Sequence, residues 1–150
     1  MKKIIFIVIS CLTIMASSCS TEKDIIQFTV LQNYFYKNDA PEGDQLLKLT
    51  TQEEFNHYFG ESAFMGKDGE PTKIDFSKDF VVAKVLSESN KSPETINISL
   101  KKNGTGELIL GYEVKEKSPQ SFTTRPTVQL AVSREYLGIF SKYLTNCLSV

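Results

Sequence analysis

Apolar and polar residues alternate with a period of two along most of this chain, the pattern of strands with one covered face. Over Ile26–Tyr36, residues Phe28, Val30, Tyr34 and Tyr36 share a face, with Gln32 the exception, so a first strand is expected there. Asn38–Asp44 carries Pro41 and Gly43 and reads as a turn, after which Leu46–Leu49 can pair back as a short strand. Phe80–Leu86 is a nearly continuous apolar run interrupted only by Lys84, and its valines predict a central strand covered on both faces. Ile96, Ile98 and Leu100, followed by Leu108, Leu110, Tyr112 and Val114, predict a hairpin. A reverse turn centred on Gly104, in Asn103-Gly104, would set Leu100 opposite Leu108 and Ile98 opposite Leu110.

Beyond the hairpin the pattern is shorter. Ser121–Thr124 is expected as a brief strand ending before Pro126, and Thr127–Ser133 as a half-buried strand with Val128, Leu130 and Val132 inward. Tyr136, Phe140, Tyr143 and Cys147 fit helical spacing, but Gly138 weakens a helix. A turn near Gly138 and a strand over about Ile139–Leu144 is the preferred reading.

One segment has a helical signature. Thr51 with Glu54 forms a capping box, and Thr50 with Glu53 offers the same arrangement one residue earlier. Phe55, Tyr58 and Phe59 supply the apolar face, and Gly60 is placed to end the helix in the left-handed conformation. The fold expected is therefore β-rich α+β: an antiparallel sheet, as a sandwich or partly open barrel, with one short helix packed near residues 51–59.

The amino terminus follows a different rule. Lys2 and Lys3 precede an apolar run from Ile4 to Ala16, shorter than the roughly 20 residues that span a bilayer. Small residues Ala16-Ser17-Ser18 then stand directly before Cys19, the order of a secretory signal. The stretch resembles a lipobox, in which the cysteine thiol receives diacylglycerol and the chain is cut between Ser18 and Cys19. An ordinary signal cleaved nearby is the alternative. Residues 1–18 are expected as signal, 19–24 as a lipidated tether and 25–150 as one β-rich domain. Ser20, where Asp resembles inner-membrane retention, favours the outer membrane. Glu22 and Asp24 faintly resemble an acidic surface-export tag, and the choice between periplasm and exterior stays open.

Of 17 Lys and Arg against 18 Asp and Glu, Lys2 and Lys3 leave with the signal, so the remainder carries a net charge of −3. Only Arg125 and Arg134 offer the guanidinium fork that reads phosphate and guanine, which argues against nucleic acid as a partner. With Cys11 discarded and Cys19 lipidated, Cys147 has no intramolecular partner and is expected as a buried small hydrophobe.

Few residues suggest chemistry. His57 with Glu54 gives Glu-x-x-His, but di-iron sites need two such motifs and His57 is the single histidine. Asp68-Gly69-Glu70 lacks the alternation of a calcium loop. No serine-nucleophile or phosphate-loop motif occurs, so neither catalytic residue, metal nor cofactor is assigned. Consecutive Tyr34, Phe35 and Tyr36 require at least one ring to leave its neighbours' face. These three are the candidate contacts for a protein partner; a strand buried on both sides is the other reading.

Gln52-Glu53-Glu54-Phe55 through Phe59-Gly60, then Pro71 and Ile74-Asp75-Phe76-Ser77-Lys78 leading into Phe80-Val81-Val82-Ala83, is similar to small Bacteroidales lipoproteins. More distantly it resembles the C-terminal domain of PrcB-type protease-complex lipoproteins. Those continue into a Thr-Gly-Gly-Tyr turn, whereas Ser87–Thr95 stands in its place here. The resemblance implies a β-rich fold and a protein-binding role, and it transfers no catalytic residue. The leading expectation is a non-enzymatic binding or accessory module, protease-associated or inhibitor-like, at the outer membrane. A small-ligand or carboxylate-based hydrolytic domain and a structural envelope protein are the alternatives.

Overall fold

The computed structural model describes residues 25–62, 69–139 and 146–149. Ser18, Cys19, Asp68 and the strand expected over 140–144 lie outside them. The element order is β1 (Phe28–Val30), β2 (Tyr34–Tyr36), β3 (Gln45–Leu49), α1 (Gln52–Tyr58), β4 (Phe59–Glu61), β5 (Asp79–Val85), β6 (Glu94–Lys102), β7 (Leu108–Lys115), β8 (Thr127–Ser133), a 3-10 helix (Arg134–Ile139) and β9 (Asn146–Ser149). The result is β-rich α+β and sandwich-like, with no closure into a barrel.

Three layers organise it. The middle layer is a four-stranded antiparallel sheet in the order β1-β8-β5-β3. One of its faces packs Phe80, Val82, Val128, Leu130 and Val132 against Leu100, Leu108, Leu110 and Tyr112 of the β6–β7 hairpin. The other packs Val81, Ala83, Val85 and Ala131 against Phe55 and Phe59 around α1, and against Tyr36 of the β2–β4 ribbon. Every residue from Phe80 to Val85 is buried, as its nearly continuous apolar run predicts. Lys84 belongs to that run because its Nζ reaches Asp44 Oδ2 at 2.6 Å, which keeps the charge at the sheet margin while the methylenes fill the interior.

Several expectations are corrected. The strand foreseen over Ile26–Tyr36 is two strands in two sheets: β1 pairs with β8, whereas β2 pairs with β4. Asn33 sits at φ 64 and breaks the run, a conformation Asn tolerates better than most residues. Its Nδ2 donates to Glu70 O at 3.0 Å. Leu46–Leu49 does form a strand, but it pairs with β5 instead of the preceding segment. β8 is buried on both faces over Val128–Val132, because it too lies in the middle layer. Ser121–Thr124 contributes a single bridge, Ser89 to Thr124.

The hairpin keeps its inward face but not its register. Leu100 stands opposite Leu110, and the last pair is Lys102–Leu108. Asn103 Oδ1 accepts from Thr105 N at 3.1 Å and Glu107 N at 2.7 Å, while Gly106, at φ 88, turns the chain. The loop is therefore centred on Thr105 instead of Gly104, a shift of two that preserves the side-chain parity. A bulge between Ile96 and Ser99, with Asn97 at φ 52, sets Ile96 opposite Glu113 and so off the core face. The 3-10 helix extends through Ile139, and β9 runs parallel to β7, with Cys147 opposite Tyr112.

The helix begins as its sequence predicts. Thr51 is the N-cap, and its hydroxyl accepts from Glu54 N at 3.1 Å. The Glu54 carboxylate reaches one residue further back than a capping box requires, to Thr50 N at 2.6 Å and Thr50 Oγ1 at 3.0 Å. Thr50 and Thr51 thus share the work that the two overlapping motifs suggested. Gly60 does not end the helix. Phe59 is already extended at φ −121, and the chain runs directly into β4.

Candidate functional site

The three consecutive aromatics occupy β2, and the strand's alternation divides them. Tyr36 points inward and is 7% exposed, in edge contact with Phe59 at 5.5 Å and stacked with Tyr58 at 6.4 Å. Tyr34 also turns inward, edge-on to Phe55 at 4.9 Å. Phe35 faces out and is 48% exposed. A Cβ placed on Gly60, its partner across the ribbon, would lie 2.7 Å from Phe35 Cζ. The ring covers glycine backbone, and only glycine admits it there.

Both tyrosines work as hydrogen-bond donors. Tyr34 Oη donates to Thr72 O at 2.8 Å and Tyr36 Oη to Pro41 O at 2.8 Å. Burial pushes the Tyr34 phenol up, and the Glu61 carboxylate adds to the shift. Burial also raises Tyr36, partly offset by Arg125 and reinforced by Tyr58. Neither phenol ionises near neutral pH, so neither offers a nucleophile or base.

A cleft of about 520 Å³ opens beside β2, bounded on one side by Tyr34, Phe35 and Tyr36 and on the other by Thr123–Arg125 and Thr127. Its volume lies within the range of about 300–1,000 Å³ common to ligand sites. Arg125 crosses the floor: its Cζ lies 5.7 Å from the centroid of the Tyr36 ring, and Nη2 meets Glu88 Oε1 at 3.0 Å. Glu42 also lines the cleft. Arg125 Nε is buried without a hydrogen-bond partner, as is Gln129 Oε1 two residues into β8. An unmet buried donor costs about 1–3 kcal/mol. Sequence reasoning named the β2 aromatics but missed Arg125 as their partner. The two are 89 positions apart and meet only through the sheet topology.

The remaining sequence candidates are placed as follows. His57 is exposed on α1 with its ring edge-on to Tyr58 at 4.9 Å, and it makes no hydrogen bond to Glu54. Glu54 is committed to Thr50, which holds its carboxyl below the usual range. Asp75 receives Ser77 Oγ at 2.5 Å and Ser77 N at 3.0 Å, with Lys78 Nζ at 3.2 Å. The Ser77 hydroxyl and amide, then Lys78, hold the Asp75 carboxyl low. The Ile74–Lys78 motif is therefore a hydrogen-bonded turn leading into β5. Among the described residues, no three His, Cys, Asp or Glu converge as a metal site would require. No described helix is long and apolar enough to cross a membrane.

Compared with protein-family models, with curated proteins and with solved structures, the chain gives no match.

Proposed function

We propose that this chain is a lipid-anchored lipoprotein of the outer membrane whose folded part binds another protein and performs no catalysis. The observation that carries the reading is the presentation of Phe35: a large apolar ring, half exposed, beside an open cleft on a short, edge-like ribbon. Half-buried Tyr34 and buried Tyr36 on either side of it fix the strand, which lowers the entropy cost of using it as an anchor. Phe122, adjoining Thr123 on the opposite wall, is 57% exposed. Support for the anchor is the run of Lys2, Lys3, apolar residues and Ala16-Ser17-Ser18 before Cys19. An accessory role near a protease follows from the resemblance of the Gln52–Gly60 and Ile74–Ala83 stretches. The carboxylates of the cleft do not favour hydrolysis, since Glu88 is tied to Arg125.

The test places a photo-crosslinking phenylalanine analogue at position 35 in the full chain within its native envelope. A reproducible adduct with one protein is expected. An adduct spectrum no different from that of the same analogue at Lys115, an exposed residue on β7, sinks the reading.

A further inference from the structure

We infer that the cleft between β2 and the start of β8 is a slot for one extended peptide strand, recognised mainly through its backbone. The inference rests on the protein-binding reading above and specifies what the partner presents.

In an antiparallel ladder, alternate residues turn their amide and carbonyl toward the partner strand and the rest turn them away. Ser62 N donates to Asn33 O at 2.9 Å and Lys37 N to Tyr58 O at 2.9 Å. Asn33, Phe35 and Lys37 therefore face β4, while the amides and carbonyls of Tyr34 and Tyr36 face the opposite edge. The cleft touches all three β2 residues, although their side chains alternate between faces. It must therefore run along the edge of the strand, and the edge opposite β4 is the open one.

The other wall has the same character. Thr124 exchanges hydrogen bonds with Ser89, and Pro126 O accepts from Leu86 N, so even-numbered residues here face β5. Leu31 N donates to Gln129 O at 2.8 Å, so odd-numbered residues face the side of β1. Asn33 then diverts the chain away, and nothing continues β1 alongside Thr127 and Arg125. Among the described residues, the backbone groups of Tyr34, Tyr36, Arg125 and Thr127 that point into the gap have no hydrogen-bond partner. Two parallel rows of unmet donors and acceptors are what an inserted strand satisfies.

Across the cleft, Arg125 reaches from one wall toward the Tyr36 ring on the other, its Cζ 5.7 Å from the centroid. The Arg125 guanidinium, which lines the cleft, supplies a donor for a carbonyl of the incoming peptide. The exposed ring of Phe35 lines one wall and that of Phe122 adjoins Thr123 of the other, where they would clasp its side chains. A free carboxylate ligand is less well served, because Glu42 and Glu88 line the same cleft and oppose a second anion.

The experiment uses the full chain in detergent micelles and hydrogen exchange at single-residue resolution. Short alternating Thr/Val peptides, in neutral, acidic and basic versions, serve as probes, with free glutamate as the small-anion control. Expected is slowed exchange at the Tyr34, Tyr36, Arg125 and Thr127 amides with at least one peptide, and no effect of glutamate. Thr127→Pro, which removes one of those donors, should weaken peptide binding about tenfold, the worth of one good hydrogen bond. Thr123→Trp, at an exposed position, should block the slot without touching the core. Protection by glutamate alone, or no protection by any peptide at millimolar concentration, overturns the inference. If crosslinks from position 35 persist at full yield in the Thr123→Trp chain, the slot is wrong while the protein-binding reading stands. If wild type gives no specific crosslink, that reading itself has failed.

Discussion

At the scale of single residues, the most telling contact is Phe35 on Gly60. An alanine at position 60 would bring its Cβ to 2.7 Å from Phe35 Cζ and 2.9 Å from Cε1, so the ring must swing away. Gly60→Ala should therefore cost about 1 kcal/mol or more in the wild-type chain, from lost ring cover and the strain of moving it. Made in a Phe35→Ala background it should cost much less, because nothing remains to be displaced. Chemical denaturation of the four chains of this double-mutant cycle measures the coupling; equal costs in both backgrounds would show that the ring is free to move. The sequence announced that at least one of three rings must leave its neighbours' face. It did not say that a glycine 25 positions later makes room for it, since that depends on the strand pairing.

The next scale is the element, and α1 is the clearest example. Seven residues are too few to form a stable helix alone, so the caps and the buried Phe55 must hold it. Thr51→Ala should lower stability by about 1 kcal/mol. Glu54→Gln tests the second half of the cap. Hydrogen bonds from Thr50 depress the Glu54 carboxyl in the folded state. Its contribution is thus present above the ordinary carboxylate range and lost as pH falls through the depressed value. Thermal melts should accordingly show the wild type ahead of Glu54→Gln at neutral pH, with the difference shrinking as the solution is acidified below the ordinary carboxylate range. A gap independent of pH would remove the cap from the explanation. The helix was legible because its caps are local, four residues apart in sequence. The break at Asn33 was not, because alternation alone cannot distinguish one strand from two that pair in different sheets.

For the whole molecule, the middle layer and the helix layer are tied at one corner by Arg134. Its Nη1 donates to Phe76 O at 2.7 Å and to Thr50 O at 3.1 Å, while its backbone amide donates to Lys78 O at 2.8 Å. One guanidinium thus joins the end of β8 to the residue before the helix cap and to the turn that opens β5. Hydrogen bonds from a charged donor are worth about 1.5–3 kcal/mol, and Arg134→Ala should lose roughly that, with Arg134→Lys recovering only part for want of the fork. Equilibrium unfolding of the three proteins decides it. Full stability in Arg134→Ala would mean that packing alone holds the corner.

The sequence by itself determined most of the inward-facing residues, where the helix starts and that β5 lies in the middle of something. Each of these is a local signal: period, cap, composition or a short motif. Tertiary structure alone decided which strands are neighbours, that β8 is covered on both faces, and that the hairpin closes around Thr105 with its register moved by two. It also brought Arg125 against the Tyr36 ring and set β2 across a cleft from Thr123–Thr127. Pairing energies are nearly degenerate at the level of alternating pattern, and only the mutual packing of three layers chooses among them. The Tyr34-Phe35-Tyr36 run was visible from the start, but its place as one wall of a cleft is a property of the fold.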